Sequence, residues 1–172
     1  MNVATHAKGG IGILRMTDGD NGLDGTYNAE TDKNGVLRPL MAADVEGVSL
    51  IVVLPAYNER ATVLGSVGDC HPEQETICGR IQYLLNRIYE ELEDAGNLLC
   101  HVLVATPHCA GKYPYVDADG YEEYPTGTGQ TMEKLSDTIK AVAQANNVAV
   151  CDLWHESGIN RRTWSVFGAQ KN

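Results

Sequence analysis

The stretch Val48-Ser-Leu-Ile-Val-Val-Leu-Pro-Ala-Tyr-Asn-Glu59 constrains the fold more than any other part of the chain. Apart from Ser49, residues Val48–Leu54 are apolar without alternation, and Pro55 stops the run. A short unbroken apolar run of this kind reads as a strand buried on both faces, which occurs in parallel sheets covered by helices. In open α/β sheets, ligands sit outside the carboxyl ends of the strands. Asn58, just past the proline, is therefore placed to touch a substrate rather than to fill a core.

The remaining segments alternate around that strand. Residues 9–47 carry eight glycines and little periodicity, so they read mostly as loop with a short helix near Leu37–Ala43. A loop through Gly65, Gly68 and Asp69 follows the strand. Pro72 then opens a helix with Glu73 and Glu75 in its first turn. Ile77, Ile81, Leu84, Leu85, Ile88 and Leu92 form its apolar stripe, and Gly96-Asn97 ends it. Leu98–Ala105 reads as a second buried strand, stopped by Thr106-Pro107. A loop rich in Tyr, Asp, Gly and Pro runs from Cys109 to Gly129. Met132, Leu135, Ile139, Val142 and Ala143 mark a second helix that ends near Asn146-Asn147. Val148–Leu153 is the third strand, and the tail from His155 onward is polar and irregular. Strand, helix, strand, helix, strand is a doubly wound α/β pattern with a parallel sheet, and 172 residues fit one domain.

Charge and cysteine usage narrow the partners. Thirteen Lys and Arg against 23 Asp and Glu leave a net charge of −10. No basic stripe exists to neutralise phosphates, which argues against nucleic acid and against anionic membrane surfaces. No apolar run approaches the roughly 20 residues needed to span a bilayer. Met1-Asn-Val-Ala-Thr-His6 lacks the basic and apolar regions of a signal peptide, so the default location is the cytoplasm. The five cysteines (Cys70, Cys78, Cys100, Cys109, Cys151) lack C-x-x-C spacing. They read as reduced thiols rather than zinc ligands, despite neighbouring histidines. Asp18, Asp20 and Asp24 alternate like the start of a calcium loop, but Gly22 stands at the fifth position. No metal or other cofactor is expected.

Along most of its length the chain resembles SGNH/GDSL-type hydrolases. Asn2-Val-Ala-Thr-His-Ala-Lys-Gly-Gly-Ile-Gly12 is similar to that family's second sequence block, and Leu50–Asn58 to its third. Leu64-Gly-Ser-Val-Gly-Asp69, Val102-Leu-Val-Ala-Thr-Pro-His108 and Val148-Ala-Val-Cys-Asp-Leu153 follow in the family's order. The resemblance implies a flavodoxin-like three-layer α/β/α fold and an acyl-ester hydrolase, acetylated carbohydrates being one substrate class. In that family a Ser attacks the carbonyl, a His acts as base and an Asp orients the His. A Gly backbone N–H and an Asn side chain help to hold the oxyanion, roles that map onto Gly10 (or Gly9) and Asn58.

The departures are specific. The family's Gly-Asp-Ser block supplies both the nucleophile and a central first strand. Asp18-Gly-Asp-Asn21 mimics it only loosely, with Asn21 in the serine's place. The chain therefore reads as a single domain incomplete at both ends, lacking the first strand and belonging to a larger chain or assembly. Pro55-Ala-Tyr-Asn-Glu59 replaces the usual Gly-x-Asn-Asp. The closing Asp-x-x-His has a literal match in Asp152-Leu-Trp-His155, placed on the strand end itself. There the two residues are either the catalytic pair or a structural Asp followed by a loop His, since an extended segment can point them apart.

Two other readings stay open. Ser49–Glu59, with Ala61-Thr-Val63, is also similar to the opening strand of family-A inverting glycosyltransferases, where a Pro-x-Tyr-Asn-Glu turn binds a nucleotide sugar. Those enzymes hold a metal on acidic residues after the next strand, whereas here no Asp follows that strand until Asp117. The third reading is a non-catalytic binding module on a degenerate hydrolase fold. In it Tyr113, Tyr115, Tyr121, Tyr124, Trp154 and Trp164 stack on sugar rings, against the plainer alternative of rim packing.

Overall fold

The computed structural model describes residues 3–4, 12–19, 38–55, 62–67, 76–108, 131–160, 163 and 166. Helices α1 (Ile13–Asp18) and α2 (Ala42–Val45) precede strand β1 (Leu50–Val53). Then come α3 (Ile77–Asp94), β2 (His101–Ala105), α4 (Met132–Ala145), β3 (Ala149–Cys151) and α5 (Leu153–Glu156). The strands form one parallel sheet in the order β1-β2-β3. Val53 pairs with Val104, and Val104 in turn with Val150. This is the α/β arrangement with a parallel sheet that the sequence implies.

The two helical stripes read from the sequence build the core. Ile77, Ile81, Leu84, Leu85, Ile88 and Leu92 of α3 are buried, as are Met132, Leu135, Ile139, Val142 and Ala143 of α4. The two helices pack against each other and close over Val53, Val102 and Val104 of the sheet. Thr76 caps α3 by accepting from the Gly79 N–H at 3.1 Å, while the Ile77 and Cys78 N–H groups donate to the Val63 and Leu64 carbonyls. Gly65 permits that close approach: its φ is +77°, and a Cβ there would stand 2.8 Å from the Thr76 side chain.

Several boundaries differ from the sequence expectation, each for a physical reason. The α3 helix begins at Ile77 rather than at Pro72, because Thr76 is extended and acts as the cap; residues 68–75 lie outside the described residues. The second strand begins at His101, and Leu98 and Leu99 are exposed turn residues. The third strand ends at Cys151. The short helix near Leu37–Ala43 is displaced to Ala42–Val45. Within the segment read as loop, α1 forms because Ile13 and Thr17 bury themselves against the body of the domain. The Tyr83 hydroxyl of α3 also donates to both Asp18 carboxylate oxygens, at 3.0 and 2.9 Å.

Burial of β1 on both faces is not observed. Ile51 and Val53 face the helices, whereas Leu50 and Val52, of the opposite parity, are each 51% exposed. Only one parity of a pleated strand can lie beneath a given helix layer. Among the described residues no helix is long and apolar enough to cross a membrane.

Candidate active site

The chain leaves β3 at Cys151 and turns at once into α5, with Asp152 as its N-cap at φ −81°, ψ 78°. The Asp152 Oδ1 accepts from the His155 N–H at 3.3 Å, an Asx-type cap to the third helical position. Helical spacing sets residues i and i+3 on one side. The imidazole Nδ1 consequently lies 3.0 Å from each Asp152 carboxylate oxygen. The sequence-based concern that an extended segment points these side chains apart is thereby corrected, because the strand stops one residue before Asp152.

Two further elements fix the carboxylate. Thr106, fully buried just after β2, donates its hydroxyl to Asp152 Oδ1 at 3.4 Å and accepts the Trp154 N–H at 3.1 Å. Its own N–H donates to the Cys151 carbonyl, prolonging the β2–β3 pairing. On the other oxygen, Lys140 of α4 donates to Oδ2 at 2.6 Å. The cluster thus sits at the carboxyl ends of β2 and β3, where open α/β sheets hold their ligands.

Electrostatics follow from these contacts. Asp152 is only 5% exposed. Burial alone disfavours its charge, but the hydrogen bonds from Lys140 and His155 outweigh it and hold the carboxyl down at about 2. Hydrogen bonding to Asp152 pushes the His155 imidazole up, against a smaller opposing effect of burial. A carboxylate only accepts, so Nδ1 carries the proton and Nε2 keeps its lone pair in the neutral ring. The side chain is 40% exposed, with Nε2 at 3.8 Å from Glu133 Oε1 and 3.9 Å from Asp137 Oδ1.

The depressed Asp152 carboxyl predicts an acid limb in the stability curve. Its folded value lies below the unfolded one, so the stabilisation is complete above about pH 4 and is lost as pH falls toward 2. The shift corresponds to about 2 kcal/mol at neutral pH. Chemical denaturation followed between pH 6 and pH 2 should show that loss, and Asp152→Asn should flatten it. A variant curve parallel to the parent's would contradict the assignment.

The other candidates divide sharply. Gly10 (with Gly9) and Asn58 lie outside the described residues, as do Cys70, Cys109, Asn21, Asp20, Gly22, Asp24, Asp117, Tyr113, Tyr115, Tyr121, Tyr124 and Trp164. Asp18 ends α1, and its carboxylate is taken up by Tyr83, whose hydroxyl is pushed up to about 12 by burial and by that carboxylate. Trp154 packs partly buried against the core, which fits rim packing. Cys100 and Cys151 are free thiols, and Cys78 is buried in the core. Thr106, Lys140, Glu133 and Asp137 were not singled out from the sequence. The only signal for the last three is their i, i+4, i+7 spacing beside the apolar stripe of α4.

No protein-family model and no curated protein sequence matches the chain. Its fold is similar to that of a solved structure described as a possible lipase from Chitinophaga pinensis DSM 2588, with a TM-score of 0.51 at 16% identity. That match covers 68% of this chain and 50% of the other. A protein from Lactobacillus plantarum is also similar, with a TM-score of 0.52 at 18% identity, covering 77% of this chain and 62% of that one. The chain therefore spans only half to three-fifths of the length of these structures, and the likeness concerns the fold.

Proposed function

We propose that this chain belongs to an acyl-ester hydrolase of the SGNH/GDSL type, with His155 as general base and Asp152 as the group that orients it. The observation that supports the reading is the Asp152 carboxylate lying 3.0 Å from Nδ1 with both oxygens, at the carboxyl ends of a parallel sheet. In the proposed reaction His155 Nε2 removes the proton of a serine hydroxyl as its oxygen bonds to the acyl carbon. The imidazolium then returns that proton to the departing alcohol oxygen, and water repeats the sequence to free the acid. The serine would come from a Gly-Asp-Ser block, of which these 172 residues hold no copy. Asn58 and the Gly10 N–H would donate to the tetrahedral oxyanion, with acetylated carbohydrates among the substrates.

The test uses the full-length protein and p-nitrophenyl acetate, followed by an acetylated oligosaccharide. Asn58→Ala should lower kcat by about 10²-fold or more, as loss of one oxyanion donor does. Unchanged turnover in that variant would remove Asn58 from the mechanism. Tight binding of the sugar with no hydrolysis by the parent protein would overturn the hydrolase and favour a binding module.

A further inference from the structure

Helix α4 presents one charged edge to the α5 turn. Glu133, Asp137 and Lys140 stand at i, i+4 and i+7, which places them on a single side of that helix. This edge addresses both ends of the Asp152–His155 pair with opposite charge. Lys140 Nζ meets Asp152 Oδ2 at 2.6 Å, while Glu133 and Asp137 stand 3.8 and 3.9 Å from His155 Nε2. Among the described residues, Glu156 of α5 also acts on Lys140.

A general base must be neutral at its working pH. Asp152 and Asp137 both draw a proton onto the imidazole, and the Lys140 ammonium opposes them. Lys140 also donates to Oδ2, an oxygen it shares with Nδ1, and so restrains the Asp152 plane beside the imidazole. Its own side chain is 36% exposed, whereas the carboxylate it meets is buried.

From this geometry we infer that Lys140 is a positioning residue of the Asp152–His155 pair: it holds the carboxylate plane beside Nδ1 and offsets part of the carboxylate's charge. The inference rests on the hydrolase reading for its catalytic meaning, but the coupling itself is open to measurement without turnover.

The experiment is an NMR titration of the His155 imidazole in the full-length protein, its resonance identified by loss in His155→Gln. Lys140→Met should move the midpoint alkaline by about half a unit or more, as removal of a nearby cation does. Lys140→Arg should restore it. Glu133→Gln with Asp137→Asn should move it the opposite way. Where Lys140→Met lowers Tm, Lys140→Gln takes its place. The acid limb of kcat/KM should follow the imidazole in each variant. A midpoint that stays put in both Lys140→Met and Lys140→Gln overturns the inference, whatever the turnover. A midpoint that moves as expected while His155→Gln retains full activity upholds the coupling and removes His155 from catalysis.

Discussion

Replacing His155 by Gln in the full-length protein is expected to lower ester turnover by about 10²–10⁴-fold, the usual contribution of a positioned general base. Gln keeps a polar side chain of similar reach but cannot take up the serine proton. The parent's activity should rise as the imidazole loses its proton, with the acid limb displaced to the alkaline side of the ordinary histidine value, because Asp152 raises its proton affinity. Stability supplies an internal control with its own sign. A group whose folded pKa is raised stabilises the fold below its unfolded value, about 6.5, and loses that contribution as pH rises through the folded one. His155→Gln should therefore lower Tm at pH 5 and leave it nearly unchanged at pH 9. Turnover within threefold of the parent at pH 8 would remove His155 from the mechanism.

How far this site was legible in the sequence depended on one peptide. Asp152 and His155 are three apart, and that spacing brings them together in a helical turn but not in a strand. The apolar run Val148–Leu153 hides the change, since Leu153 serves equally as a last strand residue and as the first residue of α5. The cap itself was the available signal, because Asp is a favoured N-cap residue. Lys140 and Thr106 were not legible, since their roles arise from contacts across 12 and 46 residues of chain. The core, by contrast, follows directly from 3.6-residue periodicity, and every residue of both stripes is buried as read. The α1 helix escaped because six residues among glycines carry too little local signal; its order comes from tertiary packing against α3.

The second large effect is expected in that core. Ile139 of α4 is fully buried in the cluster that joins α3, α4 and the sheet. Ile139→Ala removes three heavy atoms from a site that rigid helices on one side and strands on the other keep from collapsing. The cost should fall in the range of about 2–5 kcal/mol. For a chain of this size each kcal/mol lowers Tm by about 2–4 °C, so the fall should be near 10 °C. Leu99→Ala is the contrasting variant. Sequence reasoning placed Leu99 in a buried strand, whereas the structure leaves it 89% exposed before β2 begins. Its removal should change stability by no more than about 0.5 kcal/mol. The pair of measurements weighs periodicity against apolar content as a guide to burial. Ile139 belongs to a repeating stripe that turns toward the sheet at every appearance. Leu99 is only hydrophobic, and it stands exposed in the α3–β2 connection. Comparable losses in the two variants would mean that β2 starts earlier than His101 and that the turn after α3 is misplaced.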